Sequence, residues 1–436
     1  MTPAARTEAA IALLSAIIEE PRAPADAIAS SFFRARRYIG ASDRRAVSEQ
    51  VWQVLRARRR LGWWLRDEAP SGRLLLAADA LLSGDSLSAL SGLFSGARFA
   101  PAPLGAAELG MLRPLEGHTL AHPAIPEAVR LEVPDCLLAP LAARFGARLD
   151  LELAALGRTA PLDLRANLLK GTREQARAAL AEEGIAAEPT PFSPWGLRIG
   201  GRVPIIGSSA FRSGLVEIQD EGSQIVALMV GAAPGERVAD LCAGSGGKTL
   251  ALAMSMRNHG RLVAADISAA RLDAAVRRLR RAGVHNAERH LLAPGDKWAK
   301  RNAGKFDRVL VDAPCTGTGT WRRHPDARWK VGPAELAEIP PRQAAILDLA
   351  AGLVRKAGRV VYATCSVLVE ENEAQVSAFL ARHEGFAPVA PAALWAAQAA
   401  QGLTEAERGA GDLGFLLTPA RHGTDGFFIS VLERRA

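Results

Sequence analysis

Arg237-Val-Ala-Asp-Leu-Cys-Ala-Gly-Ser-Gly-Gly-Lys-Thr249 is the stretch whose reading decides the fold. Arg237 to Leu241 reads as a short strand, the glycines that follow as a loop, and the residues from about Lys248 as a helix. Glycines between a strand and a helix let the backbone come close to a ligand at the helix N-terminus. The spacing fits neither a Walker loop nor a GxGxxG fingerprint. Taken alone, a tight turn with no ligand remains the alternative.

The same alternation continues outward. Arg261 to Asp266 is a second strand, followed by a basic helix from Ala269 to Ala282. Phe306 to Asp312 and Arg359 to Ala363 are further apolar strands, and Phe427 to Leu432 is the last. This order predicts an α/β, doubly wound sheet whose last strand is antiparallel. Right-handed crossovers then gather the loops at the strands' C-terminal ends along one edge, where ligands bind.

Upstream the pattern changes. Residues 1–125 read as helices, with Ala9, Leu13, Ala16 and Ile17 at helical spacing, and Val47, Val51 and Leu55 after a cap at Ser42. Nine arginines between Arg34 and Arg60 lie on or beside these helices, and Trp52, Trp63 and Trp64 interleave with them. A solvated face with core tryptophans and an RNA-contacting surface are both open readings. Ala100 to Pro126 looks like a connector. Pro161 to Leu169 reads as a strand, Thr172 to Glu183 as a helix and Gly196 to Ile206 as a hairpin, a small α+β module. The expected domains are therefore 1–125, 126–210 and 211–436.

The chain has 436 residues, 49% hydrophobic and 23% charged, as expected for a globular protein of more than one domain. No apolar stretch reaches the roughly 20 residues of a membrane span, and the N-terminus lacks a basic-then-apolar signal pattern. A cytoplasmic location with no membrane partner is expected. The net charge of +8 favours a polyanionic partner only weakly. The four cysteines, Cys136, Cys242, Cys315 and Cys365, form no CxxC pair, so neither zinc nor a disulfide framework is expected.

Three further signals gather at the ligand edge. Asp266 closes a strand 22 positions after Gly244, where a carboxylate can accept hydrogen bonds from ribose hydroxyls. Asp296, in Ala-Pro-Gly-Asp, reads either as an adenine contact or as a turn aspartate. Val311-Asp-Ala-Pro-Cys-Thr-Gly-Thr-Gly319 runs a strand into a carboxylate and a cysteine, and Arg322, Arg323 and His324 beyond it are candidate phosphate contacts. Val361-Tyr-Ala-Thr-Cys-Ser366 ends a second strand in Cys365, with Glu370-Glu-Asn372 after it. Neighbouring strands ending at Asp312 and Ala363 would hold two thiols and a carboxylate in one cleft. A thiol in such a loop is better placed for chemistry than one packed within a strand.

The segments Asp240–Thr249, Asp312–Asp326 and Ala363–Asn372 resemble the Sun/RsmB family of S-adenosylmethionine-dependent RNA cytosine-5 methyltransferases. The resemblance extends through Arg165-Ala-Asn167, Gln219-Asp-Glu-Gly-Ser223 and Asp425-Gly-Phe-Phe428, and so covers most of the chain. It implies a Rossmann-like methyltransferase domain with a small module before it. The N-terminal helices are similar, more loosely, to the NusB-like RNA-binding domain of the bacterial 16S rRNA members. It implies Cys365 as the nucleophile, Cys315 as an aid to product release, and Asp312 as a third catalytic residue. It also implies S-adenosylmethionine binding by Cys242, Ala243, Gly244, Ser245, Gly246, Gly247 and Lys248, with Asp266, Asp296 and Asp312. The expected partner is RNA, ribosomal rather than transfer RNA, and the expected state a monomer.

The family usually has Ala-Pro-Gly-Gly-Lys where this chain has Gly244-Ser-Gly-Gly-Lys248, so the loop lacks proline's stiffness. The rival from another class is an RNA-binding or assembly protein with a dead catalytic domain. The presence of all the expected reactive groups argues against it. A DNA cytosine methyltransferase would use the Pro-Cys cysteine with glutamine after it, whereas Thr316 follows Cys315 here and Thr-Cys occupies the later strand end.

Overall fold

Local capping starts the first helices. Thr2 accepts a hydrogen bond from the Ala5 N–H at the head of α1 (Pro3–Glu19), and proline stands in that helix's first turn. Helices α2 (Ala25–Ala35), α3 (Ala41–Arg56), α4 (Arg58–Leu65) and α5 (Gly72–Leu82) follow. The cap of α3 is Gly40, two residues before the serine expected there. Leu13, Leu14, Val47, Val51, Leu75 and Leu81 are fully buried in one core. Trp52 and Trp64 pack against that core half-buried, so they belong to its structure. The connector expected at 100–126 contains a short helix, Ala106–Leu112, which Glu108 helps to cap.

The computed structural model describes residues 1–201, 203–394 and 411–435. The chain divides into two compact units. One comprises Met1–Gly157 with Trp321–Pro333, and the other Arg158–Thr320 with Ala334–Ala436. This differs from the three expected domains in two ways. The helices of 126–157 go with the N-terminal unit, and the α+β module shares a unit with the large sheet. The segment Trp321–Pro333 was not expected in the helical unit. It is held there by buried groups: Asp326 accepts from the Ala25 N–H (3.1 Å), Arg56 donates to the Arg322 carbonyl (3.0 Å), and the Arg328 guanidinium lies 4.8 Å from the Trp321 ring. Of the three candidate phosphate contacts, Arg322 is buried, Arg323 half-buried and His324 exposed.

In the second unit a four-stranded antiparallel sheet has the order β2-β3-β1-β4, from β1 (Leu162–Ala166), β2 (Ala187–Pro189), β3 (Gly196–Ile199) and β4 (Val216–Ile218). A helix over Arg173–Glu182, closed by a Thr172–Gln175 capping box, packs on it. Among the described residues, 196–206 forms no hairpin of its own. β3 pairs with β1 and β2, and Ile205–Gly207 is a turn of 3-10 helix.

The large sheet, among the described residues, has eight strands. They are β5 (Arg237–Asp240), β6 (Arg261–Asp266), β7 (Ala287–Leu291), β8 (Phe306–Asp312), β9 (Val354–Thr364), β10 (Phe386–Pro388), β11 (Phe415–Leu417) and β12 (Phe427–Arg434). Their order is β10-β12-β9-β8-β5-β6-β7, with β11 pairing β12. β5 is parallel to both β6 and β8, and β8 to β9, while β12 runs antiparallel to β9. The order reverses at β5, and the crevice beyond its C-terminal end is where such sheets bind ligands.

Candidate active site

The residue after the glycine loop decides how that loop is held. Gly246 sits at φ +83° and caps the helix Gly247–Ser255, and Gly244 is also left-handed at φ +53°. Asp266, at the end of β6, accepts hydrogen bonds from the N–H groups of Gly244 and Ser268, each at 2.8 Å. Arg165, buried in the small sheet, donates to the Gly247 carbonyl at 3.0 Å and to Gln219, which ties the α+β module to the loop. Asn167 of the same motif donates to the Gly214 and Ala282 carbonyls (2.8 and 2.9 Å).

Above β5 and β6 this framework encloses a cavity of about 410 Å³. Of the expected cofactor residues, Cys242, Ala243, Gly244, Ser245, Gly247, Lys248, Asp266 and Asp312 line it, and Gly246 serves as the helix cap beside it. Asp296 is not among the lining residues. Its carboxylate is 2.5 Å from His290 Nε2 and accepts from the Trp298 N–H at 2.8 Å. The strand expected to end there, β7, stops at Leu291.

The cavity floor carries charge with partners left to find. Asp240 is buried and accepts from the Thr249 hydroxyl at 2.7 Å, but its Oδ1 has no hydrogen-bond partner. Burial, opposed by the Thr249 hydrogen bond and reinforced by the nearby Asp312 charge, pushes its pKa up to about 7. Burial and three surrounding carboxylates also raise the Cys242 thiol, which keeps it protonated. An orphaned buried acceptor and a strand-end carboxylate suit a cofactor that brings an ammonium group and a ribose.

Two loops meet beside this cavity. Asp312 pairs with Ala363 in the β8–β9 register, so the residues just past each strand emerge side by side. Cys315 Sγ is 3.4 Å from Cys365 Sγ. Lys248 Nζ is 2.6 Å from Asp312 Oδ2 and 5.2 Å from the centre of the Phe427 ring. Burial works against the Lys248 charge, but the Asp312 charge and hydrogen bond outweigh it and raise the pKa. The terminal motif closes the set: Gly426 donates to the Gly319 carbonyl (2.8 Å), and Gly319 donates to the Cys365 carbonyl (2.9 Å). A Cβ on Gly319 would come within 2.2 Å of the Gly426 oxygen, so both positions need glycine. Among the described residues no cluster suited to a metal ion occurs.

Sequence reasoning missed three residues of this site. Arg278 donates to both the Ser245 carbonyl (3.0 Å) and its hydroxyl (2.7 Å). Arg271 and Arg278 both line the cavity, and their spacing of two helical turns on the basic helix was the available signal. Glu371, in the Glu370-Glu-Asn372 motif, is buried between the two cysteine loops.

Comparison with known proteins now bears on this arrangement. Residues 227–433 match the family described as 16S rRNA methyltransferase RsmB/F. Over those residues, just under half of its length, the chain is similar to that family. Residues 133–206 match its ferredoxin-like domain. The RsmB/F portion holds the glycine loop, both cysteine loops and the terminal motif. The ribosomal RNA small subunit methyltransferase B of Photorhabdus laumondii is 34% identical over 280 residues, 63% of this chain. The match spans about 60% of that relative's length. The crystal structure of the protein PH0851 superposes over 98% of this chain and 99% of its own, with a TM-score of 0.81 and 25% identity. A methyltransferase homologue from Pyrococcus horikoshii superposes over 70% of this chain and 97% of its own, with a TM-score of 0.60 and 26% identity. Among the described residues no helix is long and apolar enough to cross a membrane.

Proposed function

We propose that this chain is an RNA (cytosine-5)-methyltransferase acting on small-subunit ribosomal RNA, with Cys365 as its nucleophile. The observation that carries the reading is the meeting of Cys315 and Cys365 at 3.4 Å, past the ends of adjacent parallel strands and beside the cavity. Carbon 5 of cytosine is a poor nucleophile until a thiolate adds to carbon 6 and places electron density on it. In this reading the Cys365 sulfur forms that bond. The ring nitrogen takes up a proton as the thiolate adds, and the Lys248–Asp312 pair lies at hand to deliver it. S-adenosylmethionine, bound by the glycine loop with Asp240 and Asp266, supplies a methyl group on a sulfonium. After transfer, a base takes the proton from carbon 5, for which the Lys248–Asp312 pair is again at hand, and the bond from Cys365 to carbon 6 breaks with its electron pair returning to the sulfur. Cys315, in contact with Cys365, is placed to assist that release.

The ribosomal substrate rests on the name of the Photorhabdus relative. The basic N-terminal unit supports an RNA partner, and the reading takes the protein as a cytoplasmic monomer. Bisulfite sequencing of ribosomal RNA from a deletion strain tests it. One small-subunit cytosine should lose protection and regain it on complementation. An unchanged small-subunit profile would overturn the substrate assignment.

A further inference from the structure

The carboxylate of Glu371 receives four hydrogen bonds, and two of its partners directly follow the two cysteines. Thr316, next after Cys315, donates its N–H at 2.9 Å and its hydroxyl at 2.5 Å. Ser366, next after Cys365, donates its hydroxyl at 2.6 Å. Gln343 donates at 3.2 Å and also reaches the Pro314 carbonyl at 3.0 Å. The Glu371 main-chain carbonyl accepts from the Tyr362 hydroxyl at 2.6 Å, which anchors the residue to β9. Asn372 adds a second tie, accepting from Thr364 (2.6 Å) and donating to the Ser366 carbonyl (2.9 Å).

Four donors on two oxygens satisfy a carboxylate without a proton of its own. The carboxylate thus holds the residue after each cysteine, by two bonds from Thr316 behind Cys315 and by one from Ser366 behind Cys365. We propose that Glu371 is a positioning residue that locks the loop behind Cys315 to the loop behind Cys365 and keeps the pair's proton on Cys315, so that Cys365 is the sulfur that attacks. The proposal rests on the cysteine pair being the reactive centre and adds what sets the roles within it.

Two sulfurs 3.4 Å apart in a buried site cannot both carry charge cheaply, so a small asymmetry decides which does. The Cys315 thiol is held well above its ordinary range by its hydrogen bond to Cys365, by burial, by the charge on Cys365 and by the Glu371 carboxylate. The titratable groups that interact with the pair are Lys248, Tyr362 and Glu371, with Asp312 bound to Lys248. Lys248 is the cation of this set.

Site-resolved alkylation tests the proposal without RNA or cofactor. The intact protein is treated with iodoacetamide between pH 6 and pH 9, and each cysteine peptide is quantified by mass spectrometry. In the wild type the label should fall on Cys365, with Cys315 protected. Glu371→Gln removes the charge and one acceptor oxygen, and should raise the ratio of labelled Cys315 to labelled Cys365 by about tenfold. Thr316→Val removes one donor and leaves the charge, and should move the ratio the same way by a smaller factor. Cys242 is the internal control, because a merely structural loss would expose it in parallel. An unchanged ratio in folded Glu371→Gln would overturn the proposal. If that variant fails to fold, an unchanged ratio in Thr316→Val overturns it instead. Failure of the methyltransferase reading would show separately, as Cys365 labelling with no methylation of any RNA.

Discussion

The sulfur of Cys315 stands 3.4 Å from the sulfur of Cys365, although fifty residues of chain separate them. Their closeness follows from the parallel pairing of β8 with β9, which aligns Asp312 with Ala363. Two thiols this near can divide one reaction between them, and the division predicts that they fail differently. Cys365→Ala should give neither methylation nor a covalent adduct. Cys315→Ala should still attack and transfer but release poorly, accumulating a protein–RNA adduct that survives denaturing electrophoresis. The reverse pattern would exchange the two roles. Loss of activity with no adduct in either variant would remove the case for a covalent route.

The orphaned Oδ1 of Asp240 predicts a pH dependence for the cofactor. With a pKa of about 7, the group is protonated below neutrality and charged above it. An ammonium group prefers the charged form, so affinity for S-adenosylmethionine should rise through pH 7 and level off above it. Below pH 7 it should fall by at most about tenfold per pH unit. The stability effect has the opposite sense. A carboxyl raised from 3.8 to about 7 contributes stability that is lost as pH rises across that window. The melting-temperature gain on adding cofactor should therefore be larger at pH 8 than at pH 6. Asp240→Asn should flatten the affinity profile measured by calorimetry. A flat wild-type profile would mean that no ammonium meets this carboxylate.

The doubly wound sheet was legible because its strands are short apolar runs punctuated by glycine and aspartate. Every strand read from β5 onward in the sequence is present within a few residues, and the last does run antiparallel. Cys315, Cys365 and Asp312 were legible for the same reason, since a strand end has a defined place in such a fold. Asp296 was not, because the turn after β7 has no periodicity to mark where the strand stops, and His290 takes the carboxylate. Glu371 was quoted only as part of a motif, because its role depends on four donors from three separate segments. The placement of Trp321–Pro333 in the helical unit was equally invisible, since it depends on Asp326 meeting the head of α2 some 300 residues earlier.

Ser245 stands where the family usually has proline, and Arg278 takes over part of proline's task by holding both its carbonyl and its hydroxyl. Charge-assisted hydrogen bonds of this kind contribute about 1.5–3 kcal/mol. Arg278 is a quarter exposed, so the lower end applies, and Arg278→Ala should weaken S-adenosylmethionine binding about tenfold. Glu217 keeps its pair with Arg281 at 2.5 Å, so the loss should fall on the loop rather than on the fold. Ser245→Ala removes only the hydroxyl and should cost about threefold. Calorimetry on the two variants separates them, and equal affinities in wild type and Arg278→Ala would show that the loop needs no tether.

Of the nine arginines between Arg34 and Arg60, four are committed to partners elsewhere in the helical unit and three are exposed to solvent. Arg44, Arg56, Arg59 and Arg60 are committed to the Ile39 carbonyl, the Trp52 and Arg322 carbonyls, Asp135 and Glu132 respectively. Arg34, Arg37 and Arg45 are exposed, as is Tyr38 at 75%. These three are the candidates for phosphate contact. Changing all three to Gln should weaken RNA binding uniformly across sequences. It should also flatten the slope of log affinity against log salt by ~2–3, because each lost phosphate contact removes about 0.7–0.9. Deleting residues 1–125 would be a poor substitute test. It would remove the core against which Trp321 and Arg328 are buried within the helical unit, and so perturb the chain just beyond the Cys315 loop. The substitutions leave that core in place. If affinity and salt slope both stay at wild-type values, the exposed arginines do not contact phosphate, and RNA affinity has to come from another surface.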